Sequence, residues 1–162
     1  MRRPRRLAAC GGAALGLALL VAGCAPAPPA ERDLALTVTD VARGRVLARE
    51  RVEPGAWVRL TYVHSTEGRP VRATFRVEAD RTLRLVETAF PSLGPGLPAL
   101  GADGTWTVED GMIVARSESA PMAELRLRAV PLTRHRLTLP SGRTLDLGVL
   151  VEAGDPIRVA VE

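Results

Sequence analysis

From Leu34 to Val161 apolar and polar side chains alternate in pairs, broken every few residues by Gly, Pro or Asp, and that pattern leaves few folds open. A strand turns successive side chains to opposite faces, so alternation buries one face of a sheet and wets the other. Leu34 to Val38 opens the series, Val46 to Val52 follows the turn at Gly44, and Trp57 to Ser65 follows Pro54-Gly55. Val71 to Val77 and Leu83 to Phe90 read as a hairpin around Ala79-Asp80-Arg81. Later strands are expected at Thr105–Val108, Met112–Arg116, Glu124–Val130, His135–Leu139, Arg143–Leu147 and Ile157–Val161, with turns at Glu109-Asp110-Gly111 and Pro140-Ser141-Gly142. No stretch sustains a helical period. The expectation is all-β: a single antiparallel sandwich or barrel-like domain over residues 34–162, with no internal repeat.

The first thirty residues follow another logic. Four arginines, Arg2, Arg3, Arg5 and Arg6, precede an apolar run from Leu7 to Gly23, the charged and apolar regions of an export signal. The run is diluted by glycines and short for a membrane-spanning helix, and its end carries residues favoured for cleavage, which argues against a retained anchor. That end, Leu20-Val21-Ala22-Gly23-Cys24, resembles the bacterial lipobox, in which the cysteine thiol receives a diacylglycerol. The reading is a signal peptide over 1–23, then a lipidated Cys24 and a proline-rich extended tether over 24–33. Acyl chains contribute about 0.8 kcal/mol per buried methylene, enough for two or more chains to hold a protein at a membrane. The expected location is extracytoplasmic: the periplasmic side of the outer membrane in a Gram-negative host, favoured by Ala25, or otherwise the outer face of the cytoplasmic membrane.

Processing alters the charge and thiol arguments. The full chain holds 22 basic and 18 acidic residues, and without the four leader arginines the balance is 18 against 18. A nucleic-acid partner, which needs a basic face, loses its support. Cys10 leaves with the leader and Cys24 is acylated, so no internal disulfide is expected. Packing must supply the stability, and about 130 residues build one adequate core.

Strand parity points to one edge. Val58, Leu60, Tyr62 and His64 share a face, as do Val71, Ala73, Phe75 and Val77, while Arg72, Arg76 and Arg84 fall on the outer face. By the same parity Glu87 joins Leu83 and Leu85, so His64 and Glu87 are expected to point inward at the same sheet edge, over the small Ala73. The loops there are Thr66–Pro70 and the glycine-rich Pro91–Pro98, whose Gly94 and Gly96 permit a close backbone approach to a bound group. The candidate ligand-binding residues are therefore His64, Ser65, Arg72, Glu87, Gly94 and Gly96. The bland alternative is a hydrogen-bonded structural pair of His64 and Glu87 beside a corner between sheets.

These residues also carry a resemblance. Leu60-Thr61-Tyr62-Val63-His64-Ser65, Pro70-Val71, Phe75-Arg76-Val77, Glu87-Thr88-Ala89-Phe90 and Gly94-Pro95-Gly96-Leu97-Pro98 are similar to the bacterial family of domain of unknown function 1850, over roughly Ala56 to Leu147. Two departures stand out: Arg72 and Ala73 occupy positions that are often acidic in the family, and Pro95 replaces an alanine. The family is often encoded beside TAXI-type TRAP transporters, so the resemblance implies an envelope accessory role in solute uptake.

No catalytic constellation emerges. There is no Gly-x-Ser-x-Gly elbow, and strand alternation sends His64 and Ser65 to opposite faces. A metal set of His64, Glu87 and His135 lacks any feature placing His135 at the right edge; capping a strand end is its simpler role. No lysine is present and the Gly94 loop opens no helix, which excludes a phosphate loop. The reading is a non-catalytic domain without metal or cofactor, whose partners are the membrane through Cys24 and a small solute or TRAP-type transporter component. The rival is a protein-interaction or scaffold module.

Overall fold

The turns are built as their residues require. Asp80 accepts hydrogen bonds from the Thr82 amide (3.1 Å) and hydroxyl (2.6 Å), and Arg81 takes a left-handed φ of 68° to close one hairpin. Between Glu109 and Met112, Asp110 (φ 49°) and Gly111 (φ 74°) are both left-handed, the two-residue turn whose twist matches its flanking strands. In a computed structural model that describes residues 33–93 and 105–162, such turns separate eleven strands.

These are β1 (Leu34–Asp40), β2 (Arg45–Val52), β3 (Trp57–Val63), β4 (Pro70–Val77), β5 (Leu83–Phe90), β6 (Thr105–Glu109), β7 (Met112–Arg116), β8 (Glu124–Arg128), β9 (Arg136–Thr138), β10 (Thr144–Asp146) and β11 (Pro156–Val161). One turn of 3-10 helix spans Pro131–Thr133, and α1 is a single turn at Leu147–Leu150. The expected strands are present with trimmed ends. β3 stops at Val63, which leaves His64 and Ser65 in the following turn, and Leu147 enters α1 instead of ending a strand.

Two antiparallel sheets pack as a sandwich. The small sheet has the order β2-β1-β11-β8, and the large one β10-β9-β3-β4-β5-β7-β6. Leu36, Val38, Ile157 and Val159 of the first meet Val58, Phe75, Val77, Leu83 and Leu137 of the second in one buried cluster. Each such side chain contributes roughly 1.5–3 kcal/mol on leaving water. The β3-β4-β5 meander lies at the centre of the large sheet, so the ends of β3 and β5 and the start of β4 share one edge, as alternation predicts.

Candidate functional site

One irregularity in β5 decides where the candidate residues go. Opposite β4, Thr74 pairs with Glu87 but Phe75 pairs with Leu85, so Val86 is an extra residue on β5. A bulge of this kind inverts the parity of everything beyond it. Glu87 therefore does not point inward with Leu85, as parity alone predicts. It shares the outer face with Arg72, Thr74 and Arg76, and the residue beside Ala73 on the inner face is the buried Thr88. Ala73 itself is part of the core, and its inner-face neighbour on β5 is a threonine instead of a carboxylate.

On the outer face Glu87 is gripped from both sides. Arg72 Nη2 approaches its Oε1 at 3.5 Å and Arg116 Nε donates to its Oε2 at 3.2 Å. Arg116 also donates to Glu109 (2.9 and 3.1 Å) and to the Thr107 hydroxyl (3.2 Å). The Arg116 bonds to Glu109 first, and then one that the Thr107 hydroxyl donates to it (2.6 Å), lower the pKa of this carboxyl to about 2. Arg76 joins Glu78 (2.9 Å) to Glu118 (2.8 Å), and its hydrogen bond draws the Glu118 carboxyl below the usual range. The guanidiniums of this face thus form a lattice that cross-links four strands, β4 to β7, not a scatter of solitary charges.

Beneath this lattice the hydrogen bonding is incomplete. Among the described residues, Arg72 Nε and Thr74 Oγ1 are buried side-chain atoms without a partner. Thr74 is wholly buried although it sits on the outer face, and Ala89 and Val114 are buried on that face too. On the same face a shallow groove of ≈ 320 Å³ runs between Trp57, Arg76, Val86, Glu87, Arg116 and Glu118. Trp57, 56% exposed, forms one wall.

His64 lies apart from this cluster. Its Nδ1 accepts a hydrogen bond from the Glu67 amide (3.3 Å), and its backbone closes the turn through Gly68 N–H (2.8 Å) and the Arg69 carbonyl (2.8 Å). His64 thus shapes the β3–β4 connection, and Ser65 is exposed on the same turn. Of the candidate residues the structure brings together Arg72 and Glu87; Gly94 and Gly96, like Cys24, lie outside the described residues.

The aromatic partner of this edge is His135. Its ring stacks on Tyr62, centroids 5.2 Å apart and planes 11° from parallel, while Nδ1 meets the Thr133 hydroxyl at 2.7 Å. Burial lowers the His135 pKa and raises that of Tyr62. Strand parity placed Tyr62 on the inner face, and His135 was expected to cap a strand end; sequence reasoning had no means to pair residues so far apart. Arg116, Glu109 and Thr74 escaped it as well, because a charge at a strand end or a threonine in an arginine-rich strand carries no signal of its neighbours. Among the described residues no three His, Cys, Asp or Glu side chains are grouped to hold a metal ion.

The model of a family described as "Domain of unknown function (DUF1850)" matches residues 58–147, a span that contains the lattice, the stacked rings and the groove apart from its Trp57 wall. No curated protein and no solved structure matches the chain.

Proposed function

We propose, for a chain that belongs to the family of domain of unknown function DUF1850, a non-catalytic binding role in the cell envelope. In this reading Cys24 carries the lipid anchor, and the domain binds a small carboxylate-bearing solute on the outer face of the large sheet as an accessory to TRAP-type uptake. One observation carries it: two arginines converge on Glu87, and the Nε–H of one of them, Arg72, and the buried Thr74 hydroxyl lack partners. A buried polar group left unpaired costs about 1–3 kcal/mol, which an incoming acceptor oxygen relieves. Arginine is also the side chain best shaped to hold a carboxylate. The groove matches the lower end of small-molecule sites in size. His64 and Glu87, expected from strand parity to meet at one edge, serve separate neighbourhoods, which supports a non-catalytic role.

The test is thermal unfolding of the chain from Asp33 onward against a library of organic acids, amino acids and divalent metals. A ligand at a hundredfold excess over its dissociation constant stabilises by about 2.7 kcal/mol. A carboxylate hit that Arg72→Ala abolishes sustains the solute reading. Silence across the acids removes it. A second reading then stands, favoured by the shallowness of the groove and the exposed Trp57: a protein-interaction module of the envelope whose partner docks on the same face.

A further inference from the structure

Two sheets have four edge strands: β2 and β8 flank the small sheet, β10 and β6 the large one. An edge strand offers a row of unpaired N–H and C=O groups, and proteins blunt it with charge, brevity or cover. β2 carries Arg45, Arg49, Glu50 and Arg51, and β8 carries Glu124, Arg126 and Arg128. β10 is only three residues long. Among the described residues, β6 has none of these defences. It reads Thr-Trp-Thr-Val-Glu, all five residues are exposed, and its one charge, Glu109, is drawn back onto β7 by Arg116 at 2.9 Å. Trp106 is 49% exposed and Val108 66%.

We infer that β6 is a self-association edge, at which two copies of the chain pair antiparallel across a two-fold axis through Thr107. The hydrogen-bond phase of the strand supports this register. The two-residue turn makes Glu109 and Met112 a mutually bonded pair, so Thr105, Thr107 and Glu109 direct their backbone groups at β7. The N–H and C=O of Trp106 and Val108 then point outward. Centring the axis on Thr107 sets Trp106 against Val108 of the second copy, and Val108 against its Trp106. All four outward groups on each strand are satisfied in that arrangement, and each tryptophan lies over a β-branched side chain on the inner face, a favourable cross-strand pair.

The charges agree with it. Glu109 faces Thr105 of the second copy, not another carboxylate, and Thr105 pairs with Arg116 in its own sheet. Each glutamate therefore shares a cross-strand row and a face with an arginine of the other copy, two strands away at about 4.8 Å per strand. Five residues a side bury well under the roughly 800 Å² per partner of a stable complex, so the dimer is weak and depends on concentration.

Disulfide trapping in the full chain tests the register. At Thr107→Cys the two cysteines form a non-hydrogen-bonded pair with Cα atoms about 4.5 Å apart, within disulfide reach. At Thr105→Cys they lie about 14 Å apart at roughly 3.3 Å per residue. The expected result is oxidant-dependent dimer from Thr107→Cys above the background of the parent chain, none from Thr105→Cys, and loss of the dimer when Val108→Pro is added. Val108→Pro removes an outward N–H and leaves the β6–β7 ladder whole, as an edge strand tolerates. A folded Thr107→Cys chain that stays monomeric overturns the inference, as does equal trapping at both positions. Should Thr107→Cys fail to fold, sedimentation decides: the parent chain must show a concentration-dependent mass that Val108→Pro abolishes, and identical masses overturn it.

Discussion

The two faces of the large sheet are made from the same strands and held by different forces. On the inner face Val58, Phe75, Val77, Leu83 and Leu137 are buried against the small sheet and specify where the strands lie. On the outer face Arg72, Arg76, Glu87, Arg116 and Glu109 tie strand to strand in partly exposed pairs, each worth little to stability. The faces differ in what they leave over. The apolar face is filled, whereas the ionic face retains a buried, unpaired Arg72 Nε and Thr74 Oγ1 and, between Trp57 and Arg116, a shallow groove. Packing absorbs the inner residues; among the described residues, the outer ones keep polar atoms that no partner uses.

Thr88→Glu breaks this contrast most severely. The bulge turns Thr88 to the inner face beside Ala73, so a carboxylate placed there must enter the core. An unpaired carboxylate in an apolar core costs several kcal/mol, so cooperative denaturant unfolding is expected to disappear; retention of a wild-type transition would mean that the bulge is not what sorts the faces. Phe75→Ala, on the filled face, should cost about 3–5 kcal/mol in the same assay, with a reduced midpoint and an unchanged slope.

Thr74→Val sharpens the comparison in the opposite direction. It removes a buried hydroxyl that has no partner, so the free protein should gain up to about 1 kcal/mol, while affinity for a carboxylate ligand falls. A loss of stability instead would show that the hydroxyl is bonded. The smallest effect concerns the half-buried His135. Burial lowers its pKa below the ordinary 6.5, so the unfolded chain binds the proton more readily. Its contribution is complete above pH 6.5 and is lost as pH falls from there through the lower native value. His135→Phe keeps a ring for Tyr62 to stack on and removes the titration. The difference in melting temperature between the two chains should therefore shift in favour of the variant as pH falls from 7 to 5; a constant difference would assign His135 no linked proton.

Much of this was legible in the residues. Alternation located β1 to β7 and β11 within a few positions, and placed the β3, β4 and β5 ends at one edge, because a half-buried strand has no other economical pattern. The outer placement of Arg72, Arg76 and Arg84 followed from the same count. The inward placement of Glu87 did not survive, since the count assumes a regular ladder and Val86 interrupts it. Nothing local marks Val86 as extra: a bulge exists only relative to the strand across from it. His64 was assigned to a strand that ends one residue earlier, and there it serves its own turn.

By itself, then, the sequence determined the class of fold, the strand list and the turn chemistry, all properties of separations of a few residues, where backbone sterics and burial act directly. The tertiary structure alone decided that β1 joins β11, that β9 lies beside β3 so that His135 meets Tyr62, and that Glu87 stands among arginines on the outer face. Those outcomes depend on which strands become neighbours and on where a single residue is accommodated. Both are settled by the packing of the whole core, which no local pattern encodes.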